Sequence, residues 1–158
     1  MEFSKVSGVY KLENQQFLPV PISTAWHFFA NPSNLQSITP ENLDFKITSL
    51  DDEKTYAGQI ITYSIKLNRF IKMKWVTEIT HLKEENYFVD EQRFGPYKMW
   101  HHVHKFESVD DGVLMTDIIH FKLPIRILSH LAYKLFVKRN LIRIFSYRTA
   151  ELEKLFQQ

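Results

Sequence analysis

From residue 45 to residue 122 the chain alternates apolar and polar residues with a period of two through six successive segments. They cover residues 45–50, 58–67, 70–82, 87–94, 97–109 and 113–122, and the material between them is short and turn-forming, as in Asp51-Asp52, Lys83-Glu84-Glu85-Asn86 and Asp110-Asp111-Gly112. Connections of this length do not make parallel crossovers, so the strands must run as an antiparallel meander. Runs such as Ile61-Tyr63-Ile65-Leu67 and Ile71-Met73-Trp75 give that sheet one face to bury.

The ends of the chain supply the cover. A first strand at 9–17 stops at Leu18-Pro19-Val20-Pro21, where two prolines remove ladder donors. Ser23 is placed to N-cap a short helix that closes at Asn31-Pro32, and Pro32 suits the first turn of a second one running through Leu35 to Ile38. After Pro124, the residues Leu128, Leu131, Leu135, Ile142, Phe145, Leu152 and Phe156 fall on one helical seam, with Lys134, Lys138, Arg143 and Lys154 between them. A helix over 127–156 would be roughly 45 Å long, enough to cross a whole sheet. The expected fold is therefore α+β: a curved antiparallel sheet of about seven strands wrapped on a long C-terminal helix, with two short helices after the first strand. The whole chain, 1–158, reads as a single domain. Sheet and helix are each apolar on one side, and the space between them is a natural ligand cavity.

Composition narrows the chemistry. The absence of cysteine removes disulfides, zinc thiolates and thiol nucleophiles. Twenty basic against eighteen acidic side chains are too balanced for a dedicated nucleic-acid binder. No Gly-rich phosphate loop, G-x-S-x-G elbow or H-E-x-x-H is present, so no cofactor is expected. Neither a cleavable leader nor an apolar run of membrane-spanning length is read, which makes the cytoplasm the expected location. Thirteen phenylalanines exceed what closing a core of this size requires, and are consistent with a cavity for an apolar guest.

Polar groups concentrate in residues 88–106. On a strand, Trp100, His102, His104 and Phe106 point one way and His101, Val103 and Lys105 the other. If Asp110-Asp111 lie at the tip of a hairpin that pairs Ser108 with Val113, then Phe106 faces Met115, His104 faces Asp117, His102 faces Ile119 and Trp100 faces Phe121. A His104–Asp117 pair in an apolar frame follows, and a carboxylate that orients a histidine is an ingredient of acid–base catalysis. The preceding hairpin leaves two registers. A loop of Gly95-Pro96 alone turns Glu91 toward the cavity, and a loop longer by one residue turns Asp90 and Gln92 there instead; the shorter loop, with Glu91, is taken first. Arg93, Arg139 and Arg148 are candidates to clamp a carboxylate or phosphate. The His102-x-His104 spacing suits two metal ligands on a strand, but no second histidine cluster accompanies it, and no metal site is expected.

The order of elements resembles the helix-grip superfamily that includes birch-pollen-allergen-like proteins, START domains and polyketide cyclases, and within it the small bacterial SRPBCC ligand-binding proteins. The residues carrying the likeness are Asn34-Leu35 with Ile38-Thr39-Pro40, Gly58-Gln59-Ile60-Ile61-Thr62-Tyr63, Trp75-Val76-Thr77-Glu78-Ile79, Phe88-Val89-Asp90-Glu91-Gln92, Gly95-Pro96-Tyr97, Trp100-x-His102-x-His104-x-Phe106, Asp117 and Phe145-Ser146-Tyr147-Arg148. The resemblance implies the fold and a hydrophobic cavity, and carries no catalytic residues over to this chain. The expected function is binding of a small hydrophobic or amphipathic molecule, with Tyr63, Trp75, Glu91, Trp100, His102, His104, Phe106, Asp117, Ile119, Phe121 and Phe136 as the candidate lining. One alternative is a cyclase- or hydratase-like enzyme in which His104 moves a proton and Asp117 orients it. The other is a lipid or quinone carrier that docks on anionic membranes through its basic helix.

Overall fold

The computed structural model describes residues 1–66, 71–124 and 133–156. Among the described residues there are eight strands, β1 (Glu2–Val6), β2 (Val9–Leu18), β3 (Lys46–Ser49), β4 (Ile60–Lys66), β5 (Lys72–Lys83), β6 (Tyr87–Phe94), β7 (Met99–Val109) and β8 (Gly112–Lys122). All form one antiparallel sheet in the order β1-β2-β8-β7-β6-β5-β4-β3. The expected meander is present, with one strand more than the sequence reading contains. β1 is an edge strand with little buried surface, so it carries no alternation to read; it turns back into β2 at Ser7-Gly8, both at positive φ.

Helix α1 (Ile22–Phe29) starts one residue before Ser23, which consequently lies inside its first turn and not at the cap. The cap position belongs to Pro21, whose fixed φ of −57° breaks the preceding strand and leads into the helix without a side-chain hydrogen bond. Asn31 is extended ahead of Pro32 and accepts a bond from the Ser33 amide at 2.9 Å, which opens the short 3₁₀ turn Pro32–Gln36. The C-terminal helix does not run as one regular α-helix. A π-helical turn (Tyr133–Val137) precedes helix α2 (Lys138–Phe156), and the expected earlier portion, 127–132, lies outside the described residues.

On α2 the buried residues Leu141, Phe145, Arg148 and Leu152 recur at helical spacing and face the sheet. Two hydrophobic clusters flank the middle of the molecule. In one, Trp26 of α1 meets Phe88 and Phe106 edge-on at ring distances of 6.1 and 5.6 Å. In the other, Tyr10 stacks on Tyr133 at 4.0 Å and on Phe121 at 5.4 Å. Register shifts in β3 and β5 add the local twist that curls the sheet.

Candidate functional site

The polar centre is built by three consecutive strands. In β7 and β8 the pairing is Ser108 with Val113, Phe106 with Met115, His104 with Asp117, His102 with Ile119 and Trp100 with Phe121, the expected register in each case. The turn holds because Asp111 adopts φ 64°, a conformation aspartate tolerates. In β6 and β7, Asp90 pairs with His102 and Glu91 with His101, so the longer of the two loops is the one formed. Its cause is Gln92: the side-chain amide donates to the Tyr97 carbonyl at 2.6 Å and accepts from the Tyr97 amide at 3.2 Å, replacing a ladder pair. A Cβ at Gly95 would stand 2.5 Å from the Gln92 side-chain oxygen, so the glycine makes the space for that amide.

Glu91 is accordingly not in the cavity. It lies on the outer face, 3.0 Å from His101 Nδ1 and 3.2 Å from Arg93, which also pairs with Glu78. Asp90 takes the inner position. Its Oδ2 is 2.8 Å from His104 Nε2 and 3.2 Å from His102 Nδ1. Asp117 Oδ1 is 2.9 Å from His102 Nε2 and 3.1 Å from His104 Nδ1. The two imidazoles stack between the carboxylates with ring centroids 3.7 Å apart and planes inclined by 36°. Each ring nitrogen thus lies within 3.2 Å of a carboxylate oxygen, although His104 Nδ1 makes no hydrogen bond there.

Burial alone would raise both carboxyls, but the charges and hydrogen bonds of His102 and His104 outweigh it and hold Asp90 and Asp117 well below the usual carboxylate range. Burial would likewise lower His102, and the charges of Asp90 and Asp117 with their hydrogen bonds reverse that and push it up to about 9. Arg148, on the buried seam of α2, is lowered by burial and supported by the charges of Asp117 and Asp90.

A cavity of about 230 Å³ opens beside this quartet, between the sheet, α1 and α2. Tyr63, Trp75, Trp100, His102 and His104 line it as the sequence reading expects, joined by Asp90, Arg148 and residues the reading did not name, among them Phe28, Phe29 and Ile144. Asp117 lies behind the histidines, outside the lining. Phe106, Ile119 and Phe121 are also absent from the lining; all three are buried in core clusters, where neighbouring rings and strands take up their inward face. Phe136 is 65% exposed and Arg139 is exposed as well, so neither reaches the cavity. The helical faces were harder to read than the strands. Arg148 did leave a signal, since it occupies an apolar seam position between Phe145 and Leu152.

Asp90, His102 and His104 are the group among the described residues that could hold a metal ion, with their donor atoms within 4.8 Å of one another. His102 Nδ1 and His104 Nε2 both approach Asp90 Oδ2, at 3.2 and 2.8 Å, so the carboxylate oxygen stands where an ion shared by the two imidazoles would sit and would have to move aside for it. Among the described residues no helix is long and apolar enough to cross a membrane.

A scan against protein-family models finds no match, and no curated protein matches in sequence. Solved structures are similar along almost the whole length. Protein CV1439 from Chromobacterium violaceum superposes with a TM-score of 0.69 at 12% identity, over 94% of this chain and 97% of that one. Protein Ms6760 from Mycobacterium smegmatis gives 0.68 at 16%, covering 99% and 97%. Major latex-like protein 151 from Panax ginseng gives 0.67 at 15%, covering 96% and 100%. At these identities the likeness shows the fold, and it is the helix-grip fold.

Proposed function

We propose that this helix-grip chain binds a small hydrophobic or amphipathic molecule in the cavity between its sheet and α2. The observation that carries the reading is the character of that cavity: aromatic and aliphatic walls from Phe28, Ile61, Tyr63, Trp75 and Phe145, with Asp90, His102, His104 and Arg148 among the polar groups that line it. Apolar enclosure supplies affinity and a few fixed polar groups supply orientation. Similarity of fold to a major latex-like protein is consistent with it.

Binding is better supported than proton transfer. His104 Nε2 is bonded to Asp90 at 2.8 Å, and the unbonded Nδ1 is enclosed and turned toward Asp117 at 3.1 Å, whereas a base needs a nitrogen free to reach the proton it takes. The test is native mass spectrometry of protein purified from its own host, with extraction of whatever co-purifies. A bound small molecule that is lost from an Ile61→Phe variant, which narrows the cavity, is the expected result. Protein that is empty and unshifted in melting temperature by any apolar compound offered to it would overturn the reading.

A carrier that delivers its guest at membranes is the second reading, favoured by Phe136, which stands exposed beside the exposed Arg139 and Arg143. Flotation with anionic liposomes should then show salt-sensitive binding that Phe136→Ser abolishes; no binding at low salt rejects it.

A further inference from the structure

Apart from His104 Nδ1, which lies 3.1 Å from Asp117 without a hydrogen bond, the Asp–His quartet pairs within itself, and the charged group beside it with no acceptor is Arg148. Arg148 is 9% exposed, with its guanidinium carbon 5.0 Å from the centre of the Phe145 ring. Its Nε is enclosed and has no hydrogen-bond partner. Among the described residues no carboxylate comes within ion-pair distance of it: Asp90 Oδ2 and Asp117 Oδ1 are each shared between the two imidazoles. A guanidinium carries five N–H donors and keeps its charge in a protein, so burying one without acceptors is costly. A counter-charge serving only the quartet would hydrogen-bond one of its carboxylates, whereas Arg148 faces the cavity. Acceptors for it must come from whatever occupies that space.

We infer that Arg148 anchors an anionic head group, and that the guest is a small amphipathic carboxylate with its acid end on Arg148 and its hydrocarbon body against Ile61, Tyr63 and Trp75. The inference rests on the binding reading above. A carboxylate matches the guanidinium fork with two parallel hydrogen bonds. It brings one negative charge to the one guanidinium, where a phosphate dianion would add charge beside Asp90. A cavity of about 230 Å³ falls below the roughly 300–1,000 Å³ of drug-sized pockets, which fits a one-ring or short-chain acid and not a two-chain lipid.

The test uses two probes with one hydrocarbon body, 4-butylbenzoate and 4-butylbenzyl alcohol, titrated calorimetrically into the wild-type chain, Arg148→Gln and Arg148→Lys. The wild type should bind the benzoate about 10- to 100-fold more tightly than the alcohol, the range of a charge-assisted pair. Arg148→Gln should lose that preference, its affinity for the benzoate falling to about that for the alcohol, and Arg148→Lys should keep part of it, because charge remains without the fork. In ¹⁵N-resolved spectra of the wild type, the Arg148 Nε–H resonance should move on saturation with benzoate and not with alcohol, a readout that does not depend on any variant folding. Equal affinities in the wild type, equal loss of both probes in Arg148→Gln, or an unmoved Nε–H resonance at benzoate saturation overturns the inference while leaving cavity binding intact. If neither probe binds the wild type, the binding reading falls and the inference with it.

Discussion

His102 bonds the carboxylate that its neighbour faces: Asp117 stands opposite His104 across β7 and β8, yet its Oδ1 lies 2.9 Å from His102 Nε2. Asp90 mirrors this from β6, pairing with His102 along the ladder and bonding His104 at 2.8 Å. The crossing ties three strands together through side chains as well as backbone. Asp117→Asn should therefore destabilise the chain by about 3–5 kcal/mol, the usual cost of breaking a buried charged network from one side. Urea denaturation measures it, and a loss under 1 kcal/mol would mean that the quartet contributes little to the fold.

Stability should depend on pH in two limbs of opposite sign. His102 is raised from its ordinary 6.5 to about 9, so its contribution is complete below pH 6.5 and is lost as the pH rises through 9. Asp90 and Asp117 are held below their ordinary 3.8, so theirs is complete above 3.8 and is lost as the pH falls below it. Denaturation midpoints should be highest between these limits, and a profile that stays flat from pH 6.5 to 10 contradicts the assignment of His102.

Glu91 and Asp90 are adjacent in sequence and should behave differently. Glu91→Ala removes exposed pairs with Arg93 and His101, worth at most about 1 kcal/mol, and should leave guest binding unchanged. Asp90→Ala strips the cavity side of the quartet and should weaken both stability and binding. Thermal melts and titration of both variants with one apolar probe check the register directly.

Gly95 and Gln92 should be energetically coupled. Gly95→Ala drives a methyl group into the Gln92 amide and should cost about 1–2 kcal/mol. In a Gln92→Ala background the same substitution should cost clearly less, since the clashing group is gone. A double-mutant cycle with additive effects would show that the turn is held by something else.

The sheet was legible in the sequence because each strand buries one face, and a period of two survives wherever one side is wet. The β7–β8 register followed from matching apolar sets, since a slip of one residue would have turned Met115, Ile119 and Phe121 outward. The β6–β7 register did not follow in the same way. Glu91 and Asp90 are both carboxylates, so swapping them changes no apolar pattern, and the deciding contact is a Gln92 side chain bonded to the Tyr97 backbone. β1 was missed because solvent reaches both its faces. Phe136 was misplaced because a π-helical turn, which breaks the regular 3.6-residue period, intervenes just before α2. The lining from Phe28 and Phe29 depends on how α1 is set against the sheet, which local pattern does not encode.

The four quartet residues come from a single stretch, 90–117, in strands joined by tight turns, whereas Arg148 arrives on α2. Loops this short make the β6–β7–β8 meander a low-contact-order unit, able to draw its charges together early in folding. The cavity has no such independence, because one of its walls is α2 itself. Hydrogen exchange should accordingly separate the two, with the β7 amides protected through openings that expose the inner face of the helix. On that account the guest stabilises the docked helix most of all, and the chain senses an occupied cavity chiefly through the tightness of its C-terminal turns.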